Sequence, residues 1–521
     1  MTISKYGTSP EELQSVSTPD SVESRLGRLE FKDGAPSEPT AALLYDHLDF
    51  LHGVQAFLGA IPGVSLVAAR RGFRSVGAED NSFLLFPELM DSASLFLTGN
   101  CDTIYFWGFV DLSDGPMVLD VPSVAAPSGI LGTIDDMWFK WVTDIGLPGP
   151  DRGDGGRYLI VGPGYDGPLP DSGFHVSHSR TTRVTVIGRA FMVDNDPTVP
   201  VEAIRTGFHV YPYVPGAYGT AVGSFLAGRA PLGAAPPVPE TRFVEASGLA
   251  FNTLFPGDFG FWEAIDELVQ QEPPESADPE LLGLLAAVGI VHGKPFKPDE
   301  RMRKILEEAA VVGNATARTV TFAARPEEGF GFYPDSQWQS ALFVGGYQFL
   351  DPPPQITSEG AVPVGPSDGA RKLDSRTNFF YMATGTTPAM CMRLTGIGSQ
   401  YIYVMRDSEG NYFDGGRSYR LTLPADIPES RFWSVILYDN QTRSMLKTDQ
   451  HLPRLGSQSG TVETNGDGST DLYFGPTAPP GTESNWLQTV PGKGWWTILR
   501  LYNPLQPFFD KTWRPSEIEA I

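Results

Sequence analysis

The chain is poor in the residues that build disulfides and transition-metal sites. Its 521 residues include only two cysteines, Cys101 and Cys391, and seven histidines. Two cysteines are too few for a disulfide framework or a thiolate zinc site, and they fit a reducing compartment. No apolar run reaches about 18 residues, and the N-terminus has no apolar export segment. We therefore predict a cytoplasmic protein without a transition metal.

Basic residues are also scarce. Lysine and arginine number 38 against 62 aspartates and glutamates, which gives a net charge of −24. An acidic surface repels nucleic-acid phosphates and anionic membranes. We therefore exclude nucleic acid and membrane as partners and expect a small-molecule ligand or substrate. A homodimer is the default expectation for the assembly.

Motifs of several enzyme classes are missing. The chain has no G-x-S-x-G nucleophile elbow, no complete phosphate-binding loop, no H-E-x-x-H zinc motif, and no G-x-G-x-x-G placed between a strand and a helix. These absences predict a protein that works without an organic cofactor.

Glycine and proline, by contrast, are abundant and make up about a fifth of the residues, against about 12% on average. So many turn-forming residues predict short strands and many loops. Along the chain, apolar residues recur first at every second position, as in strands, then about every 3.6 positions, as in helices, and then again at every second position. This pattern divides the chain into an N-terminal tail with helices (1–94), an antiparallel β-sandwich (95–200), a helical domain (201–355) and a second antiparallel β-domain (356–521).

One long helix is predicted ahead of the first β-domain. Apolar residues recur at three- and four-residue spacing from Leu43 to Leu58, which is typical of an amphipathic helix. Because proline disrupts a helix interior, we expect this helix to end at Ile61 and Pro62.

Long blocks make the sequence recognisable from about residue 40 to its end. They are NCDTIY (100–105), NTLFPGDFGFWEAIDELVQ, FFYMATGTTPAM (379–390), WSVILYDNQTRSML (433–446), NGDGSTDLYFGP (465–476) and RLYNPLQPFFDKTWRP (500–515). In this order they closely resemble bacterial proteins that pair domain of unknown function 1254 with domain of unknown function 1214. The resemblance implies an immunoglobulin-like β-sandwich, an all-α middle domain and a C-terminal jelly roll. The expected fold class is therefore mainly β with a helical domain. The resemblance implies no reaction, and it is compatible with bound calcium without assigning ligands.

The first candidate site opens the first β-domain. Asn100 and Asp102, followed by Tyr105, predict a polar face at the mouth of an otherwise aromatic strand. Asp102 is a candidate general base, with Tyr105 as a second catalytic group and Asn100 as a substrate ligand. The alternative is that these residues cap a turn.

An aromatic run gives the second candidate. Trp138 and Trp141 are predicted on opposite faces of one strand, and Asp135, Asp136 and Asp144 flank the run. Tryptophans beside acids line ligand clefts, but they also fill sandwich cores. Both interpretations of Trp138 and Trp141 stay open.

The second β-domain supplies three more candidate substrate ligands. A Trp-rich strand delivers Arg443 to its end, where a guanidinium can bind a carboxylate or phosphate. Asn485 and Trp486 could close the same cleft. Each residue has a structural alternative: an Arg–Asp pair in a turn for Arg443, and a loop cap with a core aromatic for the other two.

Two acidic turns are calcium candidates. Residues 407–411 and 465–471 carry oxygen donors at alternate positions, a spacing that can wrap a hard cation. Neither segment has the full EF-hand pattern, and Asp-Gly and Gly-Asn dipeptides are ordinary hairpin turns. The turn interpretation is preferred, and calcium stays an alternative.

Three functions remain open at the level of sequence. The first is a cofactor-free enzyme of hydrolase or lyase type, acting on a small molecule in a cleft between the β-domains. The others are a non-catalytic small-ligand-binding protein and a structural or assembly protein. A deep pocket holding two carboxyl groups of raised pKa would favour the enzyme.

Overall fold

The computed structural model describes residues 7–124, 128–216, 226–228, 237–325, 329–340, 344–357, 360–362 and 369–521. Helix and strand account for 27% each, so the fold is mixed rather than mainly β. The helices within the described residues are α1 (Pro10–Val16), α2 (Glu38–Ser75), α3 (Thr198–Gly207), α4 (Gly260–Gln271), α5 (Pro279–Ala287), α6 (Glu300–Phe322), α7 (Leu373–Met382), α8 (Pro388–Cys391) and α9 (Gln506–Phe509).

Small sheets occupy the N-terminus and the stretch before α7. The first holds β1 (Ser21–Ser24), β2 (Gly27–Lys32) and β3 (Ala35–Pro36). Two two-stranded sheets follow later in the chain. In one, β14 (Leu350–Asp351) pairs with β17 (Ala370–Arg371); in the other, β15 (Gln355–Thr357) pairs with β16 (Gly360–Val362).

Ten strands between residues 83 and 245 form two sheets, which we call the N-terminal β-unit. They are β4 (Phe83–Leu85), β5 (Ile104–Asp111), β6 (Met117–Val121), β7 (Ile130–Asp136), β8 (Trp141–Gly146), β9 (Gly156–Val161), β10 (His175–His178), β11 (Arg183–Ala190), β12 (His209–Pro212) and β13 (Phe243–Glu245). The larger sheet has the order β13-β4-β5-β11-β7-β8, and the smaller has the order β10-β9-β6-β12.

The two sheets of this unit share one apolar core. Alternate residues such as Phe106 and Val186 leave the larger sheet on one face and meet Leu119 and Tyr158 of the smaller sheet. The opposite face of the larger sheet is aromatic as well, with Trp107 and its neighbours packed in a different cluster. Both faces of β5 are therefore covered, which explains its nearly continuous run of apolar residues.

Eight strands near the C-terminus form the C-terminal β-unit. They are β18 (Ser399–Val404), β19 (Tyr419–Leu423), β20 (Glu429–Asp439), β21 (Arg454–Gly456), β22 (Thr470–Gly475), β23 (Trp486–Gln488), β24 (Trp495–Pro504) and β25 (Glu519–Ala520). The two sheets have the orders β18-β24-β20-β21 and β23-β22-β19-β25. Val435 and Leu499 of the first sheet pack with Leu421 and Leu472 of the second.

Most strand pairs are antiparallel, as predicted, but three edge pairs are parallel: β9 with β10, β4 with β13, and β22 with β23. Parallel neighbours need a crossover of about a dozen residues. The Gly- and Pro-rich segment 162–174 supplies that length between β9 and β10 without a helix.

Helices from distant parts of the sequence pack together in one layer. Helix α2 packs on α4, α5, α6 and α7, and α6 also packs on α7. Close approach depends on small residues. A Cβ at Gly53 would lie 2.8 Å from Ala309, and one at Gly313 would lie 2.7 Å from the ring of Phe57.

The prediction that the long helix ends at Pro62 is wrong, because α2 continues to Ser75. An interior proline costs about 3 kcal/mol through the lost hydrogen bond and a steric clash. Residues 60–70 are all buried in the helical layer. Burying a large aliphatic or aromatic side chain contributes about 1.5–3 kcal/mol, so packing on both sides of Pro62 outweighs the local cost.

Helix α2 is also long and apolar enough to meet the length and composition criteria for a membrane span. Within its most apolar window, 61% of the residues are buried inside the molecule. A core helix meets the same criteria, so the location of the protein stays a prediction.

Candidate active site

A cavity of about 840 Å³ lies between the N-terminal and C-terminal β-units. One wall is the outer face of the larger N-terminal sheet, with side chains from β5, β7, β8 and β11. The facing wall comes from β18 and β24. The residues after α7 cover a third side. The cavity residues that carry the argument below are Tyr105, Thr133, Trp141, Asp144, Arg189, Thr387, Tyr401, Trp496 and Arg500.

Strand register explains why these side chains share one face. Trp107, Ile187, Thr133 and Asp144 occupy one continuous row across β5, β11, β7 and β8. Directly paired residues point to the same side of a sheet, so the row places Asp144 on the cavity face.

Asp144 is an acidic residue of the cavity wall, and its surroundings shift its pKa strongly. Its side chain is buried, and the hydroxyl of Thr387 donates to Oδ2 at 2.8 Å. Oδ1 has no hydrogen-bond partner among the described residues. Burial raises the pKa of Asp144 to about 7, although the hydrogen bond from Thr387 favours the charged form.

Asp135 is a second buried carboxyl on the neighbouring strand. Burial raises its pKa well above the ordinary value, and the charges of Asp144 and Asp136 act in the same direction. It accepts hydrogen bonds from the N–H of Thr386 and the hydroxyl of Thr133, both at 3.2 Å. Asp135 is not among the described cavity residues.

The segment Gly385-Thr386-Thr387 holds both carboxyl groups. Gly385 has a φ of +75°, a conformation that favours glycine. A Cβ there would lie 3.2 Å from Ile187 and 3.8 Å from Asp135. Through this turn, the N–H of Thr386 and the hydroxyl of Thr387 donate hydrogen bonds to two carboxyl groups of the N-terminal β-unit.

The rest of the cavity combines apolar walls with hydrogen-bonding groups that lack partners. Met90, Phe96, Leu131 and Phe379 line it. Nε1 of Trp141, Nε1 of Trp496 and Oε1 of Gln400 are buried without a hydrogen-bond partner among the described residues. Apolar walls with a few directed polar groups are typical of small-molecule sites.

The structure places Asp102 behind this cavity rather than in its wall. Asp102 is fully buried and precedes β5. Its carboxylate accepts hydrogen bonds from Ser434 at 2.5 Å, Tyr502 at 2.9 Å and Arg454 at 3.1 Å. The expectation that Asp102 lines a solvent-reachable pocket is corrected, because these three partners enclose it.

Asn100 and Tyr105 do line the cavity. The amide Nδ2 of Asn100 donates to Tyr502 at 2.9 Å and to Tyr105 at 3.3 Å, and its Oδ1 accepts the N–H of Asp102 at 2.8 Å. Asp102 therefore contacts the cavity through these two residues and positions them.

The expectation of one strand through Trp138 and Trp141 is wrong. Residues 137–140 form a turn between β7 and β8, in which Phe139 has a φ of +53°. Asp136 stabilises the turn by accepting the N–H groups of Trp138 and Lys140. Trp138 is a buried core residue that donates to Ser276 at 3.1 Å, whereas Trp141 lines the cavity.

Arg443, Asn485 and Trp486 are not among the described cavity residues. Nε of Arg443 donates to the carbonyl of Tyr381 at 3.1 Å, and its guanidinium stacks 4.1 Å from that ring. Asn485 bonds the backbone of Glu463, and Trp486 donates to the carbonyl of Gly475. All three make structural contacts at these positions.

The two acidic turns use their carboxylates locally. Oδ1 of Asp407 accepts the N–H groups of Glu409 and Asn411, and Oδ1 of Asp467 accepts the N–H and hydroxyl of Ser469. Across the described ranges, no group of three or more His, Cys, Asp or Glu is placed to hold a metal ion. Calcium binding stays an alternative to the preferred turn interpretation.

Sequence reasoning noted Asp144 beside the aromatic run but gave it no role. The available signal was an acid placed among apolar residues of a strand, VTDIG, which predicts either burial or function. Its partner Thr387 lies 243 positions away, and no local pattern connects the two residues.

The fold and the site define a mixed α and β protein with a cavity between its two β-units. The chain matches the family described as protein of unknown function DUF1254 over residues 81–212 and that described as protein of unknown function DUF1214 over residues 398–506. It belongs to the proteins that pair these two domains in this order. Asp144 lies in the first region and Arg500 in the second.

Solved structures with similar overall chains are also known. The VPA0106 protein from Vibrio parahaemolyticus is 18% identical, with a TM-score of 0.49 over 90% of this chain and 100% of its own. An uncharacterized protein from Burkholderia cenocepacia is 11% identical, with a TM-score of 0.39 over 92% and 96% of the two chains. No curated protein matches the chain.

Proposed function

We propose that the protein is a cofactor-free enzyme that carries out acid–base chemistry of hydrolase or lyase type on a small molecule in the cavity between the β-units. The observation that carries the proposal is Asp144. It is a buried carboxyl on the cavity wall, and burial raises its pKa to about 7 against the opposing effect of the neighbouring polar side chains.

A carboxyl of this kind can serve as either acid or base near neutral pH. General acid–base catalysis is most effective when the pKa lies near the working pH. The hydroxyl of Thr387 donates to Oδ2 and orients the carboxyl on the cavity wall, where it can exchange a proton with a bound substrate. Asp135 is a second buried carboxyl on the neighbouring strand, and burial raises its pKa as well.

Tyr105 is the sequence-predicted catalytic residue that this proposal retains, as a hydroxyl on the same wall. Asp102 becomes a positioning residue, since Asn100 and Tyr502 connect it to Tyr105. The apolar walls would exclude water and strengthen the electrostatic contacts of a bound substrate.

The second candidate is a non-catalytic small-ligand-binding protein. The tryptophans and phenylalanines on the cavity wall favour this alternative, because aromatic faces supply binding energy without chemistry. The two candidates differ in whether ligand is consumed.

For the architecture, we propose that the paired sheets of the N-terminal β-unit form an immunoglobulin-like sandwich and those of the C-terminal β-unit a jelly roll. The shared apolar core within each pair of sheets supports this assignment.

The test is to incubate the purified protein with a small-molecule extract of its source cells and to follow the extract by mass spectrometry. Wild type is compared with Asp144→Asn, which keeps the size of the side chain but removes proton exchange. Asp114→Asn is the matched control, since Asp114 is exposed in the same β-unit and remote from the site.

We expect wild type and Asp114→Asn to deplete at least one compound, and Asp144→Asn to do so at least 100-fold more slowly. Equal depletion by Asp144→Asn would refute the role of Asp144. Retention of a compound without conversion would support the ligand-binding alternative and contradict the enzyme.

A further inference from the structure

Two arginines on the cavity wall form no ion pair with a carboxylate among the described residues. Arg189 extends from β11 of the N-terminal β-unit and Arg500 from β24 of the C-terminal β-unit, and both line the cavity. Among the described residues, neither guanidinium lies within 4.0 Å of a carboxylate; Asp102, the nearby acid, pairs with Arg454 instead. In a chain of net charge −24, such a pair of cations requires an explanation.

Arg500 is the more unusual of the two. Its side chain is only 4% exposed, and Nε and Nη1 have no hydrogen-bond partner among the described residues. Its guanidinium carbon lies 5.7 Å from the ring of Tyr401 and 5.6 Å from that of Tyr438. Its guanidinium interacts with the side chain of Tyr438. A buried charge without a counter-ion is nevertheless costly, so an anion is expected beside this arginine in the working protein.

Arg189 contacts Tyr401, which also lies beside Arg500. Its Nη2 donates to the hydroxyl of Ser399 at 2.9 Å and contacts that of Tyr401 at 3.5 Å. Tyr401 pairs directly with Arg500 across β18 and β24, so one tyrosine contacts both guanidiniums. Burial alone would raise the pKa of Tyr401, but the charges of Arg189 and Arg500 bring it below the ordinary value. The local potential therefore favours an anion.

We propose that Arg189 and Arg500 form a carboxylate-binding subsite, and that the substrate is a small organic acid with an apolar body. The inference rests on the proposed function of the cavity and names the class of molecule that it takes. Planar guanidiniums bind carboxylates through paired hydrogen bonds, and Arg189 and Arg500 line the same cavity from its two facing walls.

The strand register also sets the distance from this subsite to Asp144. Arg189 lies in the row of Tyr105 and Leu131, and Asp144 lies two strands away and two residues along. Strand spacing and rise put their Cα atoms about 12 Å apart. The substrate would thus carry its carboxylate at one end and its reacting group near the other, with the apolar walls contacting the portion between them.

The experiment measures binding to the purified full-length protein by calorimetry, with a panel of matched pairs. The panel holds straight-chain alkanoates of six to twelve carbons and several arylalkanoates, each paired with its primary amide. The protein variants are Arg500→Gln, Arg500→Lys and the control Arg318→Gln, which removes one exposed positive charge outside the cavity. Melting temperatures identify any variant that fails to fold.

We expect at least one acid to bind tenfold or more tightly than its amide. Arg500→Gln should abolish that preference, Arg500→Lys should restore it in part because the charge remains, and Arg318→Gln should leave it unchanged. Asp144→Asn should keep the preference, because the subsite and the acid–base group lie at different ends of the cavity.

Two results would overturn the inference in distinguishable ways. If amides bind as tightly as acids, or if Arg500→Gln keeps the preference while folded, the carboxylate subsite is wrong and the proposed function still stands. If no acid or amide binds wild type at millimolar concentration, both the subsite and the small-molecule function are contradicted.

Discussion

Asp102 and Arg454 form a buried ion pair that joins the two β-units, with Nη1 of the arginine 3.1 Å from Oδ1 of the aspartate. Ser434 and Tyr502 occupy the other oxygen. Both oxygens of this carboxylate therefore accept hydrogen bonds within the protein, and one of these bonds comes from a counter-ion. Asp102 holds the cavity wall together and is not free to accept a proton from a substrate.

The first prediction follows from this ion pair. Asp102→Asn leaves the charge of Arg454 buried without its counter-ion, and breaking such a pair typically costs about 3–5 kcal/mol. We expect a loss of that order in the free energy of unfolding, measured by denaturant titration at pH 7. The exposed pair of Arg303 and Glu307 offers a control, since Glu307→Gln should cost less than about 0.5 kcal/mol. Equal stability of Asp102→Asn and wild type would contradict the assignment.

The second prediction concerns how stability depends on pH. The folded-state pKa of Asp144 is about 7, above the unfolded value of about 3.9. Between these values the folded protein binds the extra proton, so this residue stabilises the fold at low pH and loses its contribution as pH rises from about 4 to 7. The three-unit difference corresponds to roughly 4 kcal/mol at most.

Asp144→Asn should remove this contribution and become more stable relative to wild type as pH rises to 7. The comparison is made by chemical denaturation at several pH values, with Asp114→Asn as the control that keeps the wild-type slope. A difference between Asp144→Asn and wild type that does not vary with pH would show that Asp144 has an ordinary pKa.

The third prediction tests the packing of the helical layer with two glycines. A Cβ at Gly313 of α6 would lie 2.7 Å from the ring of Phe57 in α2, whereas one at Gly283 of α5 would meet nothing within 4 Å. Gly313→Ala should therefore destabilise the protein by about 1–3 kcal/mol. Gly283→Ala should stabilise it by about 0.5–1 kcal/mol through helix propensity. Thermal unfolding of both variants tests this prediction. A Gly313→Ala protein that is more stable than wild type would contradict the close contact between Gly313 and Phe57.

The fourth prediction is that neither thiol is reactive. Burial raises the pKa of Cys101 and of Cys391 to about 12, and the thiolate is the nucleophilic form. We expect a thiol reagent at pH 8 to label the buried Cys101 only after denaturation and to label the partly exposed Cys391 more slowly than a free thiol. Rapid labelling of either cysteine in the folded protein, followed by peptide mapping, would be the contrary result.

Sequence patterns predicted the parts of this molecule that depend on local periodicity. The strands that hold Phe106, Val435 and Leu499 follow from hydrophobic alternation and turn residues. The path of α2 through Pro62 did not, since tertiary packing overrides a local proline penalty.

The site was harder to predict, because its contacts join distant segments. Thr387 and Asp144 are 243 positions apart, and Asp102 and Arg454 are 352 apart. A sequence shows that Asp102 and Asp144 are both acids near apolar strands. Only the packing of the C-terminal β-unit determines that one receives a counter-ion and the other faces a cavity.

The most direct test of the account is an infrared titration of Asp144 itself. Difference spectra of wild type minus Asp144→Asn, recorded from pH 4 to pH 10, isolate the carbonyl band of this one protonated carboxyl. The account predicts a band that disappears with a midpoint near pH 7, the pKa that burial gives Asp144. A midpoint near pH 4, or no difference band at all, would show that Asp144 is an ordinary carboxylate and would contradict its role as the acid–base group of the cavity.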